Sequence, residues 1–204
     1  MHALIVVSHP LNDSLTHTIA RKIAGSISQS SSGHTAEIAD LATEGFDPRF
    51  TTADMSAFNK RSPLPHDVIA EQTRLDRADA LVLVYPIYWW SMPGQLKGWI
   101  DRVFTNGWAY DDNGGGKVAK KLSHLKVHLV AIGGADRRTF ARHGYSDAMK
   151  TQIDHGIFDY CGAPVVTSEL FFSAEPTDIG LHLDKAQAIG SSIFTTGKTE
   201  HACA

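Results

Sequence analysis

Cysteine is scarce in this chain: Cys161 and Cys203 are the only two. Thiols this far apart make neither a disulfide framework nor a zinc site. Cys161, just before Gly162-Ala163-Pro164, reads as a small helix-end residue rather than a nucleophile. Long apolar runs are also missing. The longest, such as 3–7 and 80–84, are far too short to cross a bilayer. No basic stretch precedes an apolar core at the N-terminus, so direct membrane insertion is not expected and a cytoplasmic location is. Positive charge is not in excess: a net charge of −3 gives no electrostatic case for nucleic acid or an anionic membrane. The eleven histidines are scattered, and no metal site is expected among them. Three motifs are absent as well: the G-x-G-x-x-G dinucleotide fingerprint, the lysine of a P-loop and the nucleophile elbow of a hydrolase.

What is present is an ordinary globular composition, 43% hydrophobic and 20% charged over 204 residues. That length suits one domain over 1–204, with a tail from about 195 to 204 that reads as frayed. Residues 2–8 form a short apolar run, the first strand. A helix follows with Asn12, Asp13 and Ser14 as cap candidates and Leu15, Ile19, Ile23 and Ile27 as its buried stripe. The stretch 28–33 reads as a turn and 35–41 as the second strand. Residues 42–65, with Pro48, Pro63 and Pro65, read as a long irregular excursion, functional or at an interface. A helix is predicted over 66–78, a strand over 80–85 and a helix over about 93–104. Residues 107–123 read as a Gly-rich, partly basic loop. A fourth strand over 126–132, a helix over about 146–160, a fifth strand over 165–172 and a helix over about 178–194 complete the chain. Such β-α alternation implies an α/β fold: a parallel sheet with helices on both faces.

The most informative stretch follows the third strand. Pro86, Ile87, Tyr88, Trp89 and Trp90 crowd a loop at the carboxyl end of a buried parallel strand, where open α/β sheets bind ligands. Apolar walls and backbone donors there suit a flat ring with polar edges; a core or a dimer interface is the alternative. The first strand–helix junction, residues 8–16, carries His9, Ser14 and Thr16 at a helix N-terminus, where free N–H groups and the helix dipole can hold phosphate. Plain capping would account for Ser14 equally well. Gly133-Gly134 ends the fourth strand, as a simple turn or as a place where backbone approaches a ligand.

These pieces resemble the flavodoxin-like NAD(P)H:quinone oxidoreductase family, which includes DT-diaphorase and bacterial NAD(P)H oxidoreductases. The matching segments are S-H-P-L-N-D-S-L-T at 8–16, D-V-I-A-E-Q-T-R-L-D-R-A-D at 67–79, Y-P-I-Y-W-W-S-M-P-G-Q-L-K-G-W-I-D-R-V-F at 85–104 and G-W-A-Y at 107–110. The resemblance implies a flavodoxin-like three-layer sandwich with strand order 2-1-3-4-5, and a bound flavin, FAD or alternatively FMN. By that resemblance His9, Ser14, Leu15 and Thr16 hold the phosphate, Gln72 reaches the cofactor, Pro86, Ile87, Tyr88, Trp89 and Trp90 line the ring, and Gly133 and Gly134 place donors near it. It further implies a homodimer in which Tyr110 reaches the partner subunit's site. One departure stands out. Family members carry a Tyr and a His after the glycine turn, proposed to relay a proton; here Phe140 and Ser146 lie near those places. His143 and Tyr145 are the candidates to take over. Arg137, Arg138 and Arg142 in the same segment suit a pyrophosphate or a 2′-phosphate, or simply a solvated basic loop.

The implied activity is two-electron, ping-pong hydride transfer from NADPH or NADH to a quinone-like acceptor. Two rival readings use the same fold: a redox-sensing module docked on a membrane transporter, and a one-electron carrier of the flavodoxin type. A carrier usually has a strongly acidic face, which the net charge of −3 does not favour.

Overall fold

The computed structural model describes residues 1–112, 114, 116–173 and 179–195. The chain opens with β1 (His2–Val7), α1 (Leu15–Ser30) and β2 (Thr35–Asp40), followed by α2 (Thr52–Phe58), α3 (His66–Asp76), β3 (Ala80–Pro86) and α4 (Gly94–Val103). After these come the short β4 (Tyr110–Asp111) and β5 (Ala119–Lys120), then β6 (Lys126–Gly133), α5 (Arg137–His143) and α6 (Tyr145–Met149). A π-helix (Lys150–Asp159), β7 (Val165–Phe172) and α7 (Ile179–Ser192) finish the described chain.

The main sheet runs β2-β1-β3-β6-β7 with every pairing parallel, which is the 2-1-3-4-5 order of a flavodoxin-like sandwich. Alternate residues of each central strand feed different layers. Leu4, Val6, Leu81, Leu83 and Tyr85 face α3, α4 and the π-helix through Leu75, Leu96, Trp99 and Phe158. Ala3, Ile5, Val7, Val82 and Val84 face α1 and α7 through Ile19, Ile23, Ile27, Ala186 and Ile189. Burial on both faces is why β1 and β3 are continuous apolar runs rather than alternating ones. The strand order reverses at β1, so a crevice opens between the carboxyl ends of β1 and β3.

Several boundaries differ from the sequence reading. α1 runs on through Ser28 and Ser30, both of whose hydroxyls bond back to helix carbonyls, so the turn begins only at Ser31. The excursion 42–65 contains α2, started by a capping box between Thr51 and Asp54. It is pinned to α4 by Arg102, which bonds Asp54, Asp67 and the carbonyl of Asp47. Pro48 lies so close to α4 that a Cβ on Gly98 would collide with the Pro48 carbonyl oxygen. The Gly-rich segment 107–123 holds an antiparallel pair, β4 with β5. The helix expected over 146–160 is preceded by α5, capped by Asp136, and widens into π geometry after Met149. Of the tail 195–204, only Thr195 lies among the described residues.

Candidate active site

Two loops meet at the crevice. The first leaves β1 at Ser8 and enters α1 through its cap, Ser14. The N–H groups of Leu15 and Thr16 find no protein acceptor among the described residues, as the first turn of a helix leaves them. His9 Nδ1 accepts the Leu11 N–H at 3.1 Å, so the neutral ring carries its proton on Nε2. His9, Ser14 and Leu15 are partly exposed, whereas Thr16 is buried. This end of α1 is therefore a set of donors without acceptors, fit for an anion.

The second loop leaves β3 at Pro86. Ile87 N–H is taken by Ile132 O at 2.8 Å, so Ile87 offers only its side chain. Tyr88 and Ser91 then exchange two backbone hydrogen bonds, each 3.1 Å, around Trp89 and Trp90. Both tryptophans have positive φ, 49° and 61°. A two-residue turn with two positive φ angles is normally built from Asn and Gly. Two indoles in it cost about 1–2 kcal/mol each of backbone strain. Trp89 stands 92% exposed, while Trp90 is stacked on Tyr145 at 3.7 Å and meets Phe140 edge-on at 5.4 Å. His143 stacks on the other neighbour of that pile, Tyr145, at 5.3 Å.

Ile87, Trp89, Trp90, Gly134, Ala135 and Phe140 enclose a shallow cavity of about 160 Å³. A Cβ on Gly134 would touch nothing within 4 Å, and one on Gly133 would meet only ordinary contacts, Phe140 at 3.4 Å and Ile87 at 3.5 Å. The face beside the glycine pair is thus open, and the Gly134 N–H has no acceptor among the described residues. Aromatic rim, open glycine face and a donor-rich helix start fit a flat ring carrying a phosphate tail.

Most of the expected site residues gather here: His9, Ser14, Leu15 and Thr16 at one loop, Pro86 to Trp90 at the other, Gly133 and Gly134 beside them, with His143 and Tyr145 on the rim. Gln72 does not. α4 begins at the crevice and ends at Val103, and Gln72, buried, donates to Val103 O at 2.8 Å and Thr105 Oγ1 at 2.9 Å. Its amide is a core hydrogen-bonding group at the far end of α4 from the crevice. Tyr110 also lies elsewhere. It lines a separate cavity of about 190 Å³ with Phe50, Met55, Phe58 and Arg102, and packs on Tyr160 at 5.2 Å. Phe140 is buried against Phe172 and Trp90, a packing residue with no proton to give. Cys161 is buried, its thiol pushed up to about 11 by burial, as suits a structural cysteine. The sequence reading missed His17 and Asp40, which bond to each other behind Ser14. Their signal was a polar pair flanking the loop at the ends of two elements.

Comparison with known proteins bears on the fold and the family. The flavodoxin-like fold family matches residues 1–189. An uncharacterized NAD(P)H oxidoreductase from Haemophilus influenzae is 30% identical over 189 residues, covering 92% of this chain and 89% of its own. The ribosyldihydronicotinamide dehydrogenase (quinone) of Pongo abelii is 28% identical over 195 residues, covering 84% and 81%. The solved NAD(P)H:quinone oxidoreductase from Methanothermobacter marburgensis superposes with a TM-score of 0.85 at 27% identity, over 95% of this chain and 98% of that one. The chain belongs to the flavodoxin-like NAD(P)H:quinone oxidoreductase family, a family of enzymes.

Proposed function

We propose that the protein is a flavin-dependent NAD(P)H:quinone reductase acting on a quinone-like acceptor. The observation that carries this reading is the strained Trp89–Trp90 turn, which holds an exposed indole at the sheet's carboxyl edge beside the open face of Gly134. A bound flavin would supply two-electron hydride chemistry between a reduced nicotinamide and the acceptor, in two half-reactions. The chain's own residues do the rest. The N–H groups of Leu15 and Thr16, the Ser14 hydroxyl and His9 Nε2–H would hold the phosphate. Ile87, Trp89 and Trp90 would wall the ring, and Gly134 N–H would face its polar edge and stabilise negative charge there. Tyr145, stacked on Trp90, or His143, stacked on Tyr145, would hold a proton at the rim.

The active form would be a homodimer, in which Tyr110 and the apolar side chains Phe50, Met55 and Phe58 meet the partner subunit. Purified protein tests the reading directly. Yellow colour, a flavin released on denaturation and identified by mass as FAD or FMN, and NADPH- or NADH-driven reduction of menadione are expected. Protein that is colourless and takes up neither flavin overturns it. Bound flavin without turnover favours a redox-sensing module instead.

A further inference from the structure

A partly buried chain of hydrogen bonds lies behind the loop that opens α1. Ser14 Oγ is 2.9 Å from His17 Nδ1, and His17 Nε2 is 2.9 Å from Asp40 Oδ2. His17 is only 5% exposed. Ser14 also accepts the His17 backbone N–H at 3.3 Å, as the cap of α1. Asp40 ends β2 and accepts from Thr43 Oγ1 at 2.7 Å and from the N–H groups of Ala42 and Thr43. Burial pushes the Asp40 carboxyl up, but hydrogen bonds from Thr43 and His17 outweigh it and hold it below the ordinary carboxylate range. Asp40 is therefore an anion at neutral pH.

The other titratable groups nearby are not hydrogen-bonded to the ring. His9 meets it edge-on at 6.2 Å. Asp13 and Arg21 are exposed, and Arg21 is turned to the carbonyl of Asn12. β1 and β3 present apolar Val7 and Val84 to this layer. α7 meets α1 at Gly190 against Ile23, and its Lys185 is paired with Glu169.

A carboxylate only accepts, so His17 Nε2 carries a proton and donates to Asp40. In the neutral ring Nδ1 is then an acceptor, filled by the single hydroxyl hydrogen of Ser14. A serine that donates to His17 cannot also donate to an anion at the helix start. We propose that His17 is a proton-linked positioning residue: when a flavin phosphate binds at the α1 N-terminus, His17 Nδ1 takes up a proton from solvent and donates it to Ser14 Oγ. The Ser14 hydroxyl hydrogen is thereby freed to donate to the phosphate. One proton moves from solvent to the ring, where an Nδ1–H bond forms as an O–H bond of the solvent donor breaks, and no other covalent bond changes. This rests on the flavin reading above and adds to it a pH-dependent grip on the phosphate.

The test is titration of flavin-free protein and a His17→Gln variant with FMN, FAD and riboflavin between about pH 7.5 and 9, where a phosphate monoester is already fully ionised. Gln suits the third position of a helix behind a serine cap, so the variant keeps the helix start without a titratable ring. For the parent protein the dissociation constant of the phosphorylated flavin should rise about three- to tenfold per pH unit. It should stay flat for the variant, and riboflavin should be flat for both. Calorimetry in two buffers of different ionisation enthalpy should show proton uptake by the parent alone. The His17 ring nitrogens, followed by NMR, should pass from one proton to two on binding. Equal pH slopes in parent and variant, or a ring that keeps a single proton in the complex, overturns the inference while leaving the flavin reading intact. Failure to bind FMN, FAD and riboflavin overturns both.

Discussion

Trp89 is the residue at which local stability and function pull apart. Its ring is almost fully in water, so it contributes little burial, and its backbone sits in the left-handed region that suits glycine. Trp89→Gly should therefore leave the fold intact and raise its stability by about 1 kcal/mol, by relief of strain. The same change removes the exposed wall of the crevice and should weaken flavin binding tenfold or more. Urea denaturation and flavin titration of the same variant check both halves; a variant that is less stable and binds flavin unchanged contradicts the assignment of this turn. A second residue sets an acid limit. His128 in β6 bonds Thr167 through Nδ1 at 3.0 Å, but its buried Nε2 has no partner among the described residues. Burial, with some help from Lys126, pushes its pKa down from 6.5 to about 4. Between those values the unfolded chain binds the extra proton, so this contribution to stability is complete above about pH 6.5 and lost as pH falls toward 4. At pH 5 the loss should approach about 2 kcal/mol, and His128→Leu should remove most of that slope.

Among the elements, α4 is the one whose sequence is most tightly constrained. One face carries Leu96, Trp99, Ile100 and Val103 into the core, and Trp99 Nε1 donates to Glu71 Oε2 at 2.8 Å. The other face receives the excursion at Gly98, with no room for a methyl group. Gly98→Ala should cost about 1–3 kcal/mol, because helix propensity favours alanine but its new methyl group would press on the Pro48 backbone, which cannot swing aside as a flexible side chain could. A variant as stable as the parent in thermal unfolding would show that Pro48 gives way. The elements that the sequence made legible are those with strong periodicity: the apolar runs of β1 and β3, the four-residue stripe of α1 and the aromatic loop after β3. α2 was hidden among prolines, although Thr51 and Asp54 carry its start signal. α5 was hidden because its single buried residue is Phe140. The site was legible where its residues are local in sequence, as at 8–16 and 86–90. Gln72 instead lies buried against the end of α4, away from the crevice, and the contact of His17 with Asp40 was not legible, because the pairing of β1 with β2 is what sets Asp40 beside the start of α1.

At the scale of the whole molecule, the excursion 42–65 leaves a surface that a monomer has little reason to carry. Phe50, Met55 and Phe58 are each about half exposed, on one side of a cavity that Tyr110 also lines. Arg102, buried with Asp54 and paired at its other end with the exposed Asp67, holds this segment against α4, so the patch is preformed rather than loose. Clustered apolar side chains on a rigid frame, bordered by charge, are what an association surface needs. If the partner subunit covers this face, a charge placed there is desolvated on assembly and should split the dimer while the monomer folds normally. Phe58→Asp should accordingly lower the mass measured by light scattering to that of one chain at micromolar concentration. Its circular dichroism should match the parent, since Phe58 is outside both core layers. Because Tyr110 would serve the partner's crevice, quinone turnover should fall at least tenfold in this variant. A Phe58→Asp protein that remains dimeric would place the interface elsewhere, and one that is monomeric yet fully active would show that each crevice is complete within its own chain.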